Sequence, residues 1–340
     1  MRLRVAQIGT GNWGKNLLRN LALMAQVDLV AVADLDPSQR EKVRSQYPDI
    51  EVCEEAGLVL ADPNIEAVVI ATPPRTHYEL ASQAIAQGKH VFVEKPMTLS
   101  AADAEKLVEQ AESAERILMV GHILEHHPAF EHLKGLIDAG ELGDLLYAYS
   151  TRVNLGVVRR DENALWSFAP HDISVVLMFF GEEPARVQCT GQAYLHKGVE
   201  DVAFLTLHFA SGKMAHIHVS WLDPHKIRRI TLVGSRKMAV LDDMASSEKI
   251  RIFDKGVEFK GGYVGYGEDL SLRFGDIVIP YVKMREPLRT ELERFVESIR
   301  TGRAPISDGR DGLRVVKVLE AAQRSLEMGG APVDVQQLAQ

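Results

Sequence analysis

Short apolar runs recur through the first third of the chain: Leu3–Ile8, Leu29–Ala33, Ala67–Ala71, His90–Val93 and Ile117–Val120. Between them lie stretches whose apolar positions return with helical period: Lys15–Ala25, Pro37–Tyr47, Thr76–Gln87 and Ala101–Glu115. An unbroken apolar run fits a strand covered on both faces, and the helical repeat fits a helix with one side on a core. Strands alternating with helices in this way predict a doubly wound parallel sheet. The punctuation agrees. Asp36-Pro37 reads as an N-cap followed by proline at the first helical position, Ser100 with Asp103 as a capping box, and Gly88 as a C-cap.

The pattern changes after Gly121. A helix is expected over Ala129–Ala139, ended by Gly140. Longer segments with two-residue alternation follow: Leu145–Val153, Ala185–Tyr194, Val202–Phe209, Lys213–Trp221 and Lys226–Val233, with a turn at Ser211-Gly212. Helices over Leu288–Arg300 and Gly312–Leu326 close the chain. The expectation is an α/β protein with a parallel-sheet domain over 1–122. A second α/β domain with a largely antiparallel open sheet takes 123–340, and ligand should bind at the carboxyl ends of the parallel strands. His208, His216 and His218 alternate and should line one face of that open sheet. Such a face needs a cover, so a homo-oligomer, dimer or tetramer, is expected through it.

Composition narrows the classes. A chain of 340 residues can build two cores, and a net charge of −8 argues against nucleic acid as a partner. Cys53 and Cys189 lie far apart with no metal-ligand spacing, which fits a reduced, cytosolic setting. The N-terminus leads directly into a strand with no secretory signal, and no apolar run is long enough to span a bilayer. We therefore expect a cytoplasmic protein without a membrane partner. His122, His126, His127 and His132 fall close together, but cysteine and carboxylate ligands do not group with them, so no metal is expected.

The first apolar run ends in Gly9-Thr10-Gly11-Asn12-Trp13-Gly14 and a helix follows. Asp34, at the end of the second run, lies 20 residues beyond Gly14. Strand, glycine turn, helix and distant carboxylate together form the dinucleotide-binding fingerprint. Gly9 allows the tight turn, Gly11 lets the backbone approach a pyrophosphate, and Gly14 lets helix and strand pack closely. Trp13, inside the turn, should pack on the cofactor or the core. Asp34 would accept hydrogen bonds from both hydroxyls of the adenosine ribose and repel a 2′-phosphate. Leu35, Asp36 and Pro37 after it supply no cation for such a phosphate. The expected cofactor is NAD rather than NADP.

Further chemistry sits at strand ends. Ala71-Thr72-Pro73-Pro74 closes one strand with His77 just beyond, and Glu94-Lys95-Pro96 closes another. A lysine there is suited to electrostatic or proton-transfer work. Trp166-Ser167-Phe168-Ala169-Pro170-His171-Asp172 leads into the apolar helical run Ile173–Phe180. A histidine at such a helix start can exchange a proton with a substrate hydroxyl near neutrality, or can merely cap and pack.

These segments, with Gly88-Lys89-His90-Val91-Phe92-Val93-Glu94-Lys95-Pro96, Gly121-His122, Gly140-Glu141-Leu142-Gly143, Glu286-Pro287-Leu288 and Ser307-Asp308-Gly309, resemble the Gfo/Idh/MocA oxidoreductase family along the whole chain. The resemblance implies a Rossmann domain followed by an open-sheet α/β domain. It places Gly9, Gly11, Asn12, Trp13, Gly14, Asp34, Thr72, Pro73, His77, Glu94 and Lys95 with the cofactor. It places His122, Arg152, Asn154, Arg159, Arg160, Trp166 and His171 with the substrate. It makes Lys95 and His171 the catalytic pair, either of which can be the base. Many relatives carry an aspartate four residues before the histidine; here that residue is Ser167, which cannot stabilise an imidazolium as a carboxylate would.

The stretch from Arg152 through Arg159-Arg160 to Trp166 resembles the branch that oxidises nucleotide-linked amino sugars, the UDP-N-acetylglucosamine 3-dehydrogenases. Their 3-keto product feeds a sugar aminotransferase on the way to 3-amino sugars of lipid A or O-antigen. A UDP-sugar needs cations for its diphosphate, which Arg152, Arg159 and Arg160 could supply. Oxidation of a free polyol such as an inositol would not need them. A bound NAD reduced and reoxidised within each turnover, and a non-catalytic NAD-binding sensor, are the remaining alternatives.

Overall fold

The computed structural model describes residues 2–160, 162–259 and 270–336. The chain forms two compact units. One comprises residues 1–126 and 285–320, and the other 127–284 and 321–338.

The first unit opens β1 (Leu3–Ile8), α1 (Gly14–Ala22), β2 (Val27–Ala33), α2 (Pro37–Gln46), β3 (Glu51–Cys53), α3 (Ala56–Ala61) and β4 (Ala67–Ile70). It continues with α4 (His77–Ala86), β5 (His90–Val93), α5 (Ala101–Ser113) and β6 (Leu118–Val120). All six strands pair in parallel in the order β3-β2-β1-β4-β5-β6. This is the doubly wound order, with its switch point between β1 and β4. The caps expected from sequence form: the Asp36 side chain accepts from the Ser38 amide at 2.8 Å and Ser100 Oγ from the Asp103 amide at 3.2 Å.

The second unit holds α6 (Pro128–Asp138), β7 (Leu145–Val153), α7 (Ala164–Phe180), β8 (Pro184–Gln192), β9 (Val202–Phe209) and β10 (Met214–Ser220). It adds β11 (Ile227–Gly234), β12 (Met238–Asp242), β13 (Ile250–Phe259) and β14 (Leu270–Val278). Helix α8 (Pro287–Thr301) and the start of α9 (Gly309–Glu327) belong to the first unit, whereas the end of α9 and β15 (Val333–Asp334) belong to the second. The second sheet runs β14-β13-β12-β11-β7-β10-β9-β8-β15. Its pairings are antiparallel except β7 with β10, which is parallel.

One face of this sheet is buried, with α7 packed on β7, β9 and β10. On β7 that face carries Ala148, Ser150 and Arg152; the other face shows Tyr147 and Tyr149, which are exposed. His208, His216 and His218 share this open face with Phe204, whose ring stacks on His218 at 4.4 Å.

Residues 285–320 join the first unit from far along the chain. The stripe Leu288, Leu292, Phe295 and Val296 of α8 is buried among Leu17, Leu21, Phe92 and Met119 of the first unit. Phe295 meets Phe92 edge-to-face at 5.8 Å. Burying that stripe outweighs sequence proximity and brings the chain back to its first unit. His171 needs correction, since it does not start a helix. Asn163 caps α7 through its side chain on the Trp166 amide at 3.1 Å, and Pro170 lies inside the helix.

Candidate active site

The glycine turn after β1 is built as its residues require. Gly9 has φ +91°, and a Cβ there would come within 2.6 Å of the Ala71 carbonyl. A Cβ on Gly14 would come within 2.4 Å of the Gly9 oxygen. Over Gly11 the space is open, and Gly11, Asn12 and Trp13 are exposed. No side chain caps the start of α1. An exposed turn leading to an uncapped helix start fits a pyrophosphate. Buried Gln7, which sequence reasoning missed, props the turn. Its amide nitrogen donates to the carbonyls of Gly9 at 2.7 Å and Gly14 at 2.8 Å.

Asp34 faces the same turn, accepting from the Thr10 amide at 2.6 Å and hydroxyl at 2.8 Å. A cation not read from the sequence stands nearby. Arg40 donates to the carbonyl of Asp34 at 2.8 Å and pairs with Glu54 at 2.8 Å. Its charge is engaged there.

Thr72 and Pro73 lie at the accessible end of β4. His77, expected to touch cofactor, does not face outward. It is 1% exposed, with one ring nitrogen 2.8 Å from the Pro96 carbonyl and the other 2.8 Å from that of Thr72. Burial lowers its pKa. It staples the turns after β4 and β5 together. Glu94, at the end of β5, accepts from the Trp13 indole at 2.5 Å, and burial lifts its carboxyl to about 7. Half-buried Lys95 follows it.

His122, expected with the substrate, is 2% exposed, and its Nδ1 lies 2.8 Å from Asp311 and 3.5 Å from Glu125. Carboxylates therefore do group with this histidine: one ligand atom each from His122, Glu125 and Asp311 lie within 4.8 Å of one another. Asp311 comes from α9, far along the chain, and only the fold could reveal it. Burial opposes a charge on His122, but its bonds to Asp311 and Glu125 outweigh this and lift it to about 10. Burial pushes Glu125 up, and Glu291 on α8, fully buried, is pushed well above the carboxylate range. Of the other histidines in the run, His126 bonds the Ser307 hydroxyl at 3.0 Å, and His127 caps α6 and lies 3.4 Å from Asp243.

In the second unit, His171 sits on α7, half-buried, one turn beyond Ser167. The neighbouring Asp172 turns onto the sheet and takes the Arg152 Nε at 2.5 Å. Arg152 is buried in that ion pair, not presented to a diphosphate as expected. Arg159 is exposed but paired with Glu162 at 2.7 Å, and Arg160 is exposed. Half-buried Trp166 joins α7 to α9 through its indole on Gln323 at 3.2 Å, which braces the helix. Asn154 lines a cleft with Leu155, Pro224, Lys226 and Arg228; the sequence reading had assigned neither of the last two.

Family models match this arrangement in both units: an oxidoreductase family with an NAD-binding Rossmann fold over residues 3–122, and the Gfo/Idh/MocA C-terminal domain over 130–240. The chain belongs to the Gfo/Idh/MocA family. It is an oxidoreductase of that family, and its cofactor is NAD. It is similar along nearly its whole length to several members. Myo-inositol 2-dehydrogenase of Thermotoga maritima is 24% identical, with 96% of each chain covered. The structure of UDP-N-acetylglucosamine 3-dehydrogenase from Acidithiobacillus ferrooxidans superposes with a TM-score of 0.80 at 25% identity, covering 97% of this chain and 99% of that one. A solved protein of Magnetospirillum magnetotacticum MS-1, assigned to the oxidoreductases, is 33% identical with a TM-score of 0.80, covering 94% and 99%. Among the described residues, no helix of this Gfo/Idh/MocA chain is long and apolar enough to cross a membrane.

Proposed function

We propose that this protein oxidises the C3 hydroxyl of UDP-N-acetylglucosamine to the 3-keto sugar. The observation that carries the reading is the loop between β7 and α7, which presents exposed Arg159 and Arg160 in the segment that leads to His171. A neutral polyol needs no such cations; a diphosphate does. The full-length similarity to UDP-N-acetylglucosamine 3-dehydrogenase supports the same reading.

NAD, when bound on the glycine turn, supplies the hydride acceptor. The chain's own residues handle the proton. As the C3 hydrogen leaves with its electron pair, the hydroxyl proton must leave to a base, and His171 is assigned that role. Lys95 donates a hydrogen bond to the same oxygen and stabilises developing alkoxide charge. Burying Asp172 against Arg152 leaves Ser167, with no carboxylate, one turn before His171. The product would be a ketone suited to a transaminating partner.

The test is nicotinamide absorbance with saturating NAD and either UDP-N-acetylglucosamine, free N-acetylglucosamine or myo-inositol. Faster turnover of the nucleotide sugar, by kcat/KM, is expected. Equal or better turnover of myo-inositol would replace this reading with polyol oxidation, which the similarity to inositol dehydrogenases favours.

A further inference from the structure

We infer that Arg228, Lys226 and Asn154 form a phosphate-binding subsite at one end of the second sheet. The inference rests on the nucleotide-sugar reading and adds residues for the diphosphate to Arg159 and Arg160. Arg152 on β7 and Arg228 on β11 are direct register partners. Like charges directly opposite one another on a sheet are destabilising unless something neutralises them.

Asp172 neutralises Arg152. Nothing does the same for Arg228. Among the described residues its Nε is buried without a hydrogen-bond partner, and its guanidinium forms no ion pair. The other carboxylate whose field reaches it, Asp243, is already engaged by His127 at 3.4 Å and Lys249 at 3.6 Å. Burial and the neighbouring Arg152 both weigh against its charge. A half-buried guanidinium held beside a second one, with donors left over, calls for an anion.

The space for that anion exists. Arg228 lines a cleft of about 300 Å³ with Asn154, Lys226, Leu155 and Pro224. Lys226 is exposed and, among the described residues, unpaired. Locally, the cations Arg152, Arg228, Lys226 and Lys249 outnumber the carboxylates Asp172, Asp243 and Asp223. A diphosphate supplies a matching negative charge, and the Asn154 amide can add a neutral hydrogen bond. Asp223, next to Pro224, is occupied by the His225 amide at 2.8 Å.

The test is calorimetric binding of UDP, inorganic pyrophosphate, N-acetylglucosamine 1-phosphate and uridine to the wild type, Arg228→Met and Lys226→Met. Methionine keeps the apolar stem, and Lys226 is exposed enough that its replacement leaves the sheet folded. UDP and pyrophosphate should weaken about tenfold or more in each variant, with uridine unchanged. N-acetylglucosamine 1-phosphate binding as tightly as UDP would assign the subsite to a sugar phosphate; weaker binding assigns it to a nucleotide diphosphate. Undiminished UDP binding in both variants would overturn the subsite. Turnover separates the two claims. If UDP-N-acetylglucosamine is oxidised with an unchanged KM in both variants, the subsite falls and the substrate reading stands. If it is not oxidised but pyrophosphate binding is lost in the variants, the subsite stands and the substrate reading falls.

Discussion

The Trp13 indole donates to the Glu94 carboxylate across 2.5 Å, tying the glycine turn after β1 to the end of β5. The two strands flank β4, so this bond spans the crevice at the switch point of the sheet. It couples the shape of the cofactor turn to the ionisation of a buried acid.

That coupling sets a pH dependence. Burial raises Glu94 from its ordinary 4.5 to about 7, so the folded state holds the proton more tightly than the unfolded chain. Its contribution to stability is therefore greatest below pH 4.5 and is lost as pH rises through about 7. Glu94→Gln should flatten the decline in stability across that window, measured by urea unfolding at a series of pH values. A decline identical to wild type would refute the assignment.

The buried His122–Asp311 pair makes the opposite kind of demand on its partner. Asp311→Asn should cost about 3–5 kcal/mol at pH 6, because it leaves a buried charge uncompensated. The raised His122 pKa means its stabilisation is complete below 6.5 and lost as pH climbs through about 10. The penalty should shrink steadily from pH 6.5 upward. A pH-independent penalty would mean that His122 is neutral in the folded protein.

Asp34→Ala should weaken NAD binding and relax the rejection of NADP, read by fluorescence titration of both cofactors. Tighter NADP binding by the wild type would contradict the role of this carboxylate and point to Arg40.

Lys95→Ala and His171→Ala should each lower kcat by about 10²–10⁴-fold with NAD affinity nearly intact. His171→Ala turning over normally across the pH range would leave Lys95 as the base.

The open face of the second sheet should carry a contact between copies. Tyr149→Asp, placed among exposed Tyr147, Phe204 and Met214, should reduce the mass measured by light scattering. A wild type that is already monomeric at micromolar concentration would rule the contact out.

Local pattern made much of this molecule legible. The expected bounds of β1, β5, β7 and β9 match the structure, because apolar runs and strict alternation report burial directly. Strands β12 to β14 went unread, since β12 is short and charged residues break the apolar pattern of β13 and β14. The apolar run Ile173–Phe180 suggested a helix start near His171, whereas Asn163 had already begun α7. The glycine turn and Asp34 were legible for the same local reason. The state of Arg152 was not: whether an arginine meets solvent or an aspartate depends on which helix lands on its strand. Asp311, Glu291 and Arg228 left no mark in the sequence near the residues they serve.

The return of α8 has a consequence for how the protein is made. Phe295 and its neighbours complete the hydrophobic interior around Phe92 and Met119, yet they are translated after strands β7 to β14 of the second sheet. The cofactor-binding unit cannot complete this part of its interior on the ribosome until α8 has emerged. A premature stop anywhere before residue 285 would leave Phe92 and Met119 without that cover.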